Sequence, residues 1–132
     1  AIGDEDQLNQ YRTWFLAMRD YFDQHPEKLF IPCTTPPLHR LETNADDADR
    51  ARRWSEYLTS NEYLAGHPNI VVYNVFDMLA RADDGSATAN MLRYEYEQTH
   101  EWGESHPNLA GNQAVGPDMA NFICDAAVNY AP

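Results

Sequence analysis

Glu104-Ser105-His106-Pro107-Asn108-Leu109-Ala110-Gly111 is the stretch whose residue types could do chemistry. An imidazole titrates near neutrality and so can serve as a general base. A carboxylate on its far ring nitrogen would fix the tautomer and stabilise the imidazolium. Glu104, two residues before His106, is the nearest candidate. Pro107 restricts the His106 backbone and helps to aim its ring. The His-Pro pair alone discriminates little, because His25-Pro26 and His67-Pro68 repeat it. His100, Glu101, Glu104 and His106 also cluster, but Glu104 stands where a His-Glu-x-x-His motif needs its second histidine. A metal-dependent hydrolase is thus a lesser reading.

The elements that must position this stretch follow from periodicity. Residues 4–24 read as a helix, capped by Asp4 with Gln7 three residues on. Its apolar face is Leu8, Tyr11, Phe15, Met18 and Phe22, widened by Trp14 and Tyr21. Residues 28–34 read as a short buried strand that ends or bulges at Pro32. A second helix is expected over 45–60, capped by Asn44 or Thr43 and facing inward with Ala51, Trp54 and Leu58. The arginines at 50, 52 and 53 are expected to pair with acids on that helix. Residues 69–76, rich in β-branched and aromatic side chains, read as the strongest strand. Asp77 then caps a short helix through Ala80, and 86–103 is either a bent helix or a loop lining a cleft. From Pro107 a last helical region buries Val115, Met119, Phe122, Ile123, Ala126 and Tyr130, with a break or kink at Gly116-Pro117.

Strands alternating with helices predict a parallel sheet covered on both faces. The expected class is α/β, a three-layer α/β/α flavodoxin-like domain over residues 1–132. Two strands are too few for such a sheet. The rest is expected from a segment upstream of Ala1 or from another chain, this chain being a processed or partial one. Ligands of open α/β sheets bind beyond the carboxyl ends of the strands. Residues 33–36, 74–77 and 104–106 would converge there.

The Ser-His-Pro-Asn-x-x-Gly run, entering a helix with Phe122-Ile123, resembles the C-terminal block of the SGNH, or GDSL-type, hydrolases. Lys28 to Pro37 resembles a later strand and its Thr-x-Pro-Pro loop, and residues 69–77 the strand after it, ending in Asp. The likeness spans roughly residues 8–127. It implies a serine esterase or acyl hydrolase of which this is the C-terminal portion, acting on a small ester or an acetylated carbohydrate with no metal or organic cofactor. His106 would be the catalytic base and Glu104 its acid. Thr34, Thr35, Asn74 and Trp102 would contact substrate. The family's acid usually sits three residues before the histidine, where this chain has Gly103. The Gly-Asp-Ser nucleophile block is absent, and Gly3-Asp4-Glu5-Asp6 matches Gly-x-Asn-Asp only if Glu5 replaces the asparagine. Ser55, Ser60, Ser86 and Ser105 read as helix-surface, turn or loop residues. The alternative is a non-catalytic relative serving as a binding or structural module.

Composition narrows the partners. Acidic residues outnumber basic ones 21 to 9, giving a formal charge of −12, and Lys28 is the only lysine. Such a surface repels phosphate backbones, which sets nucleic acid aside, and it disfavours anionic membranes. No Asp-x-Asp-x-Asp-Gly calcium loop occurs. Cys33 and Cys124 form no CxxC and are either two buried thiols or one disulfide. No apolar run reaches membrane-spanning length, and no signal-peptide pattern is present. The compartment stays open, a secreted or extracellular one being among the readings.

Overall fold

The computed structural model describes residues 1–130. Among them are five α-helices: α1 Glu5–Asp23, α2 Ala45–Thr59, α3 Asn61–Leu64, α4 Val75–Leu79 and α5 Leu109–Tyr130. A single 3-10 turn spans Tyr94–Tyr96. The described residues contain no β-strand and no sheet, so the expected three-layer α/β/α flavodoxin-like class is overturned: the chain is all-α.

The two stretches expected as strands do run side by side. Pairing is confined to single residues, Phe30 with Ile70 and Cys33 with Tyr73, both parallel. Two features stop it from growing. Pro32 has no N–H to give, although its carbonyl accepts from Tyr73 N–H at 2.9 Å. At the other end, Asn74 accepts from Asp77 N–H at 3.2 Å and turns 75–79 into α4. Asn74 is therefore the cap, and Asp77, expected in that role, lies inside the helix. With no sheet among the described residues, the expectation that an upstream half or a second chain completes one is overturned.

The helices begin where short polar side chains satisfy free backbone donors. Asp4 accepts from Gln7 N–H at 2.7 Å, and Gln7 reaches back to Gly3 N–H at 2.8 Å. Asn44 accepts from Asp47 N–H at 2.9 Å. The core lies between α1, α2, α3 and residues 70–72, built from Leu8, Trp54, Leu58, Tyr63, Ile70 and Val72. Phe15 meets Trp54 edge-on, with ring centroids 4.8 Å apart. Trp14, Met18 and Tyr21, expected on the buried face of α1, are exposed. The basic cluster of α2 does more than pair within its helix. Arg53 reaches Glu5 on α1, Arg52 reaches Asp77 on α4, and Arg50 donates to the carbonyl of Ile2 at 2.7 Å.

α5 packs against Tyr73. Tyr73 meets Phe122 at 5.3 Å between ring centroids, and its hydroxyl donates to Asp118 at 2.9 Å. Burial, then the Asp118 carboxylate, pushes this phenol up to about 12. The helix runs on through Pro117, so of the break or kink expected there the break is absent. Ile123, expected to be buried, is exposed. Cys33 and Cys124 are both free and exposed, so neither reading of the cysteines holds. No helix among the described residues is long and apolar enough to cross a membrane.

Thr34 is buried, accepts from Phe76 N–H at 2.9 Å and donates to Asn74 Oδ1 at 3.2 Å. Thr34→Val keeps the shape and removes both bonds. We expect a loss of about 1–2 kcal/mol in urea unfolding. An unchanged midpoint would show that these bonds are energetically idle.

Candidate functional site

The expected site residues fall in three places. Thr34 and Asn74 hydrogen-bond to each other and to the start of α4, and their polar atoms are spent on the fold. Thr35 is exposed and lines a hollow of about 170 Å³ with Tyr11, Cys33 and Trp54. Trp102, Glu104 and His106 share a different pocket, open and about 390 Å³, with Gln98 and Thr99.

That pocket sits on the loop 98–106, whose two ends are tied together. Glu97 pairs with Pro107 across the base of the loop. Gln98 Nε2 donates to the Pro107 carbonyl at 3.1 Å. Asn108 donates through its side chain to the carbonyls of Glu95 at 2.9 Å and Glu97 at 3.0 Å. The same residue accepts from Gly111 N–H at 3.1 Å and so caps α5. Gly111 is buried, and a Cβ there would stand 2.7 Å from Pro107 Cβ. The Pro-Asn-x-x-Gly run is thus accounted for by the start of a helix packed closely under a loop.

Beneath the loop lies a buried charge. The Glu97 and His39 side chains have no solvent exposure. Leu41 N–H donates to His39 Nδ1 at 3.1 Å, which puts the ring proton on Nε2. That nitrogen lies 3.1 Å from both the Thr99 carbonyl and Glu97 Oε2. His100 Nδ1 is 2.7 Å from the same carboxylate oxygen. Glu97 Oε1 has no hydrogen-bond partner but faces Arg40 at 3.4 Å and Arg81 at 3.8 Å. Burial pushes the Glu97 carboxyl up, but hydrogen bonds from His100 and His39 and the charge of Arg40 outweigh it and leave it below the usual value. Arg40 also donates to the His100 carbonyl at 2.8 Å, and His39 N–H donates to Ser105 Oγ at 2.9 Å. Residues 39–42 therefore hold the loop from one side. His39, Arg40 and Glu97 were not singled out in the sequence. The one local sign was a histidine ending the stiff Thr-Thr-Pro-Pro-Leu run.

Above this support, His106 Nδ1 lies 2.5 Å from Glu104 Oε1, which also accepts His106 N–H at 3.0 Å. These bonds, the backbone one first, hold the Glu104 carboxyl below the usual range. Its other oxygen has no protein partner among the described residues. The His106 side chain is 89% exposed, and its Nε2 bonds to no hydroxyl among the described residues. Ser105, the nearest hydroxyl in sequence, is bonded to Glu42 and His39 instead. Trp102 is 60% exposed. No three His, Cys, Asp or Glu side chains among the described residues converge as a metal site.

Family models, curated proteins and solved structures were all compared with the chain, and none matches.

The hydrolase reading is thereby corrected. The SGNH resemblance required a sheet to place its nucleophile, oxyanion donors and histidine on one rim, and no sheet exists among the described residues. The esterase activity, the esterified or acetylated substrate, and the non-catalytic SGNH-like alternative fall with it. What remains is local: an ionised carboxylate, an imidazole and an exposed indole on a braced loop.

Two variants test the bracing. Gly111→Ala drives a methyl group into Pro107 and Tyr96, and we expect a loss of about 1–3 kcal/mol. Glu97→Gln leaves Arg40 and Arg81 without their counter-charge and His39 and His100 without their carboxylate acceptor. We expect about 2 kcal/mol, less than for a dry pair because Arg40 and His100 are partly wet. The folded carboxyl lies below its unfolded value, so this stabilisation is complete above about pH 4.3 and fades as pH falls through the folded value. The difference in Tm between wild type and Glu97→Gln should be largest near pH 7 and shrink below pH 4. A difference that grows on acidification would reverse this sign.

Proposed function

We propose that this chain is a recognition module whose Trp102–Glu104–His106 pocket takes a cationic group, such as the ammonium or guanidinium of a basic peptide. The carrying observation is the exposed Trp102 indole in one pocket with the Glu104 carboxylate. An indole face attracts a cation by about 0.5–1 kcal/mol when exposed. A charge-assisted hydrogen bond to a carboxylate adds about 1.5–3 kcal/mol. Glu104 suits that task, since one oxygen is tied to His106 and the other is free. Glu101 is exposed beside the pocket, and the net charge of −12 steers cations toward the whole surface.

Calorimetric titration with a Lys-Arg hexapeptide at low salt tests this reading. Trp102→Ala should weaken binding about fivefold and Glu104→Gln about tenfold or more. Asp6→Asn, an exposed acid on α1, should change it little. Affinity should fall as salt is raised. Equal binding of a neutral maltooligosaccharide, or indifference to both pocket variants, would defeat the proposal.

A further inference from the structure

A second cavity lies away from the loop site. It is a groove of about 450 Å³ between the C-terminal half of α5 and the stretch around residues 64–72. Leu29, Ile70 and Val72 line one side, and Phe122 and Ala126 line the other. Its volume falls in the range of small-ligand sites, which pair an apolar lining with a few polar groups. Here the polar groups all come from α5. Asp125 and Asn129 stand on exposed positions, and Tyr130 donates to the Pro26 carbonyl, fastening the end of the helix beside the groove. Asp125 takes part in no ion pair and no hydrogen bond among the described residues.

We propose that this groove binds an aliphatic cation, an alkyl chain ending in an ammonium group. The apolar lining receives the chain, and transfer of each CH2 from water contributes about 0.8 kcal/mol. The unpaired Asp125 carboxylate receives the head. Charge decides between the two common kinds of single-chain amphiphile. A fatty acid would bring an anion to Asp125 on a protein of charge −12, whereas an alkylammonium brings the complementary sign. The same charge opposes a second copy of the chain on this face.

Equilibrium titration with decylammonium and with decanoate, both below their micelle concentrations, tests the proposal. Decylammonium should bind one-to-one and roughly tenfold tighter than decanoate. Asp125→Asn should bring the two within about threefold. Asn129→Trp, a substitution at an exposed position, should fill the groove and abolish both, with Tm unchanged. Trp102→Ala should leave decylammonium binding intact, which separates this site from the loop pocket. Equal affinity for decanoate, binding insensitive to both groove variants, or self-association through this face without ligand binding would each overturn it.

Discussion

A carboxylate cannot be left alone in a protein interior. The cost of stripping its water is several kcal/mol unless opposite charge and hydrogen bonds replace it. Glu97 imposes that condition on the loop region of this molecule. It draws in His39 and Arg40 from the loop before α2, Arg81 from the stretch after α4, and His100 from its own loop. Four positions otherwise free to wander must come within 4 Å of one group. The loop 98–106 inherits its shape from that convergence. Tyr94 adds to the packing by stacking on His100 at 3.7 Å between ring centroids.

The pocket above it is rigid for a second reason. Asn108 does two tasks at once, capping α5 through Oδ1 and holding the loop base through Nδ2. Because Gly111 has no side chain, the first turn of α5 can approach Pro107 and Tyr96 closely. Loop and helix are therefore one unit.

Much of this was legible in the sequence, and the rest was not, for identifiable reasons. The 3.6-residue period of Leu8, Tyr11, Phe15 and Phe22 marked α1, and Asp4 and Asn44 marked helix starts, because these are local properties. The Glu104–His106 contact was also local, two residues apart. Residues 28–34 and 69–76 had strand composition, but composition reports a fit to a half-buried extended surface and not the number of partners. Pro32 and the Thr34–Asn74 cap limited the pairing to single residues. The His39–Glu97 pairing joins residues far apart in the chain, and nothing in either neighbourhood names the other. Resemblance to a hydrolase block arose from Pro-Asn-x-x-Gly, which any helix starting under a tight loop can use. The half-buried Val115, Met119 and Phe122 fit the expected inner face of α5, yet Ile123 shows that its apolar residues are spread around the helix.

The surface charge follows from how the few cations are used. Arg50 binds the carbonyls of Ile2 and Gly3, Arg19 those of Glu62 and Tyr63, and Arg93 those of Ala80 and Asp77. Arg40 and Arg81 face Glu97, and Arg52 and Arg53 hold α4 and α1 against α2. Arginine suits this work, since its rigid fork of donors can satisfy several acceptors at once. With the arginines so engaged, acids such as Asp6, Asp20, Glu56 and Asp125 face water without ion-pair partners among the described residues. The chain's negative charge is thus more than a ratio of residue types. Most of the arginines serve as fastening between segments, and the acids left over face outward, which gives the surface its negative sign.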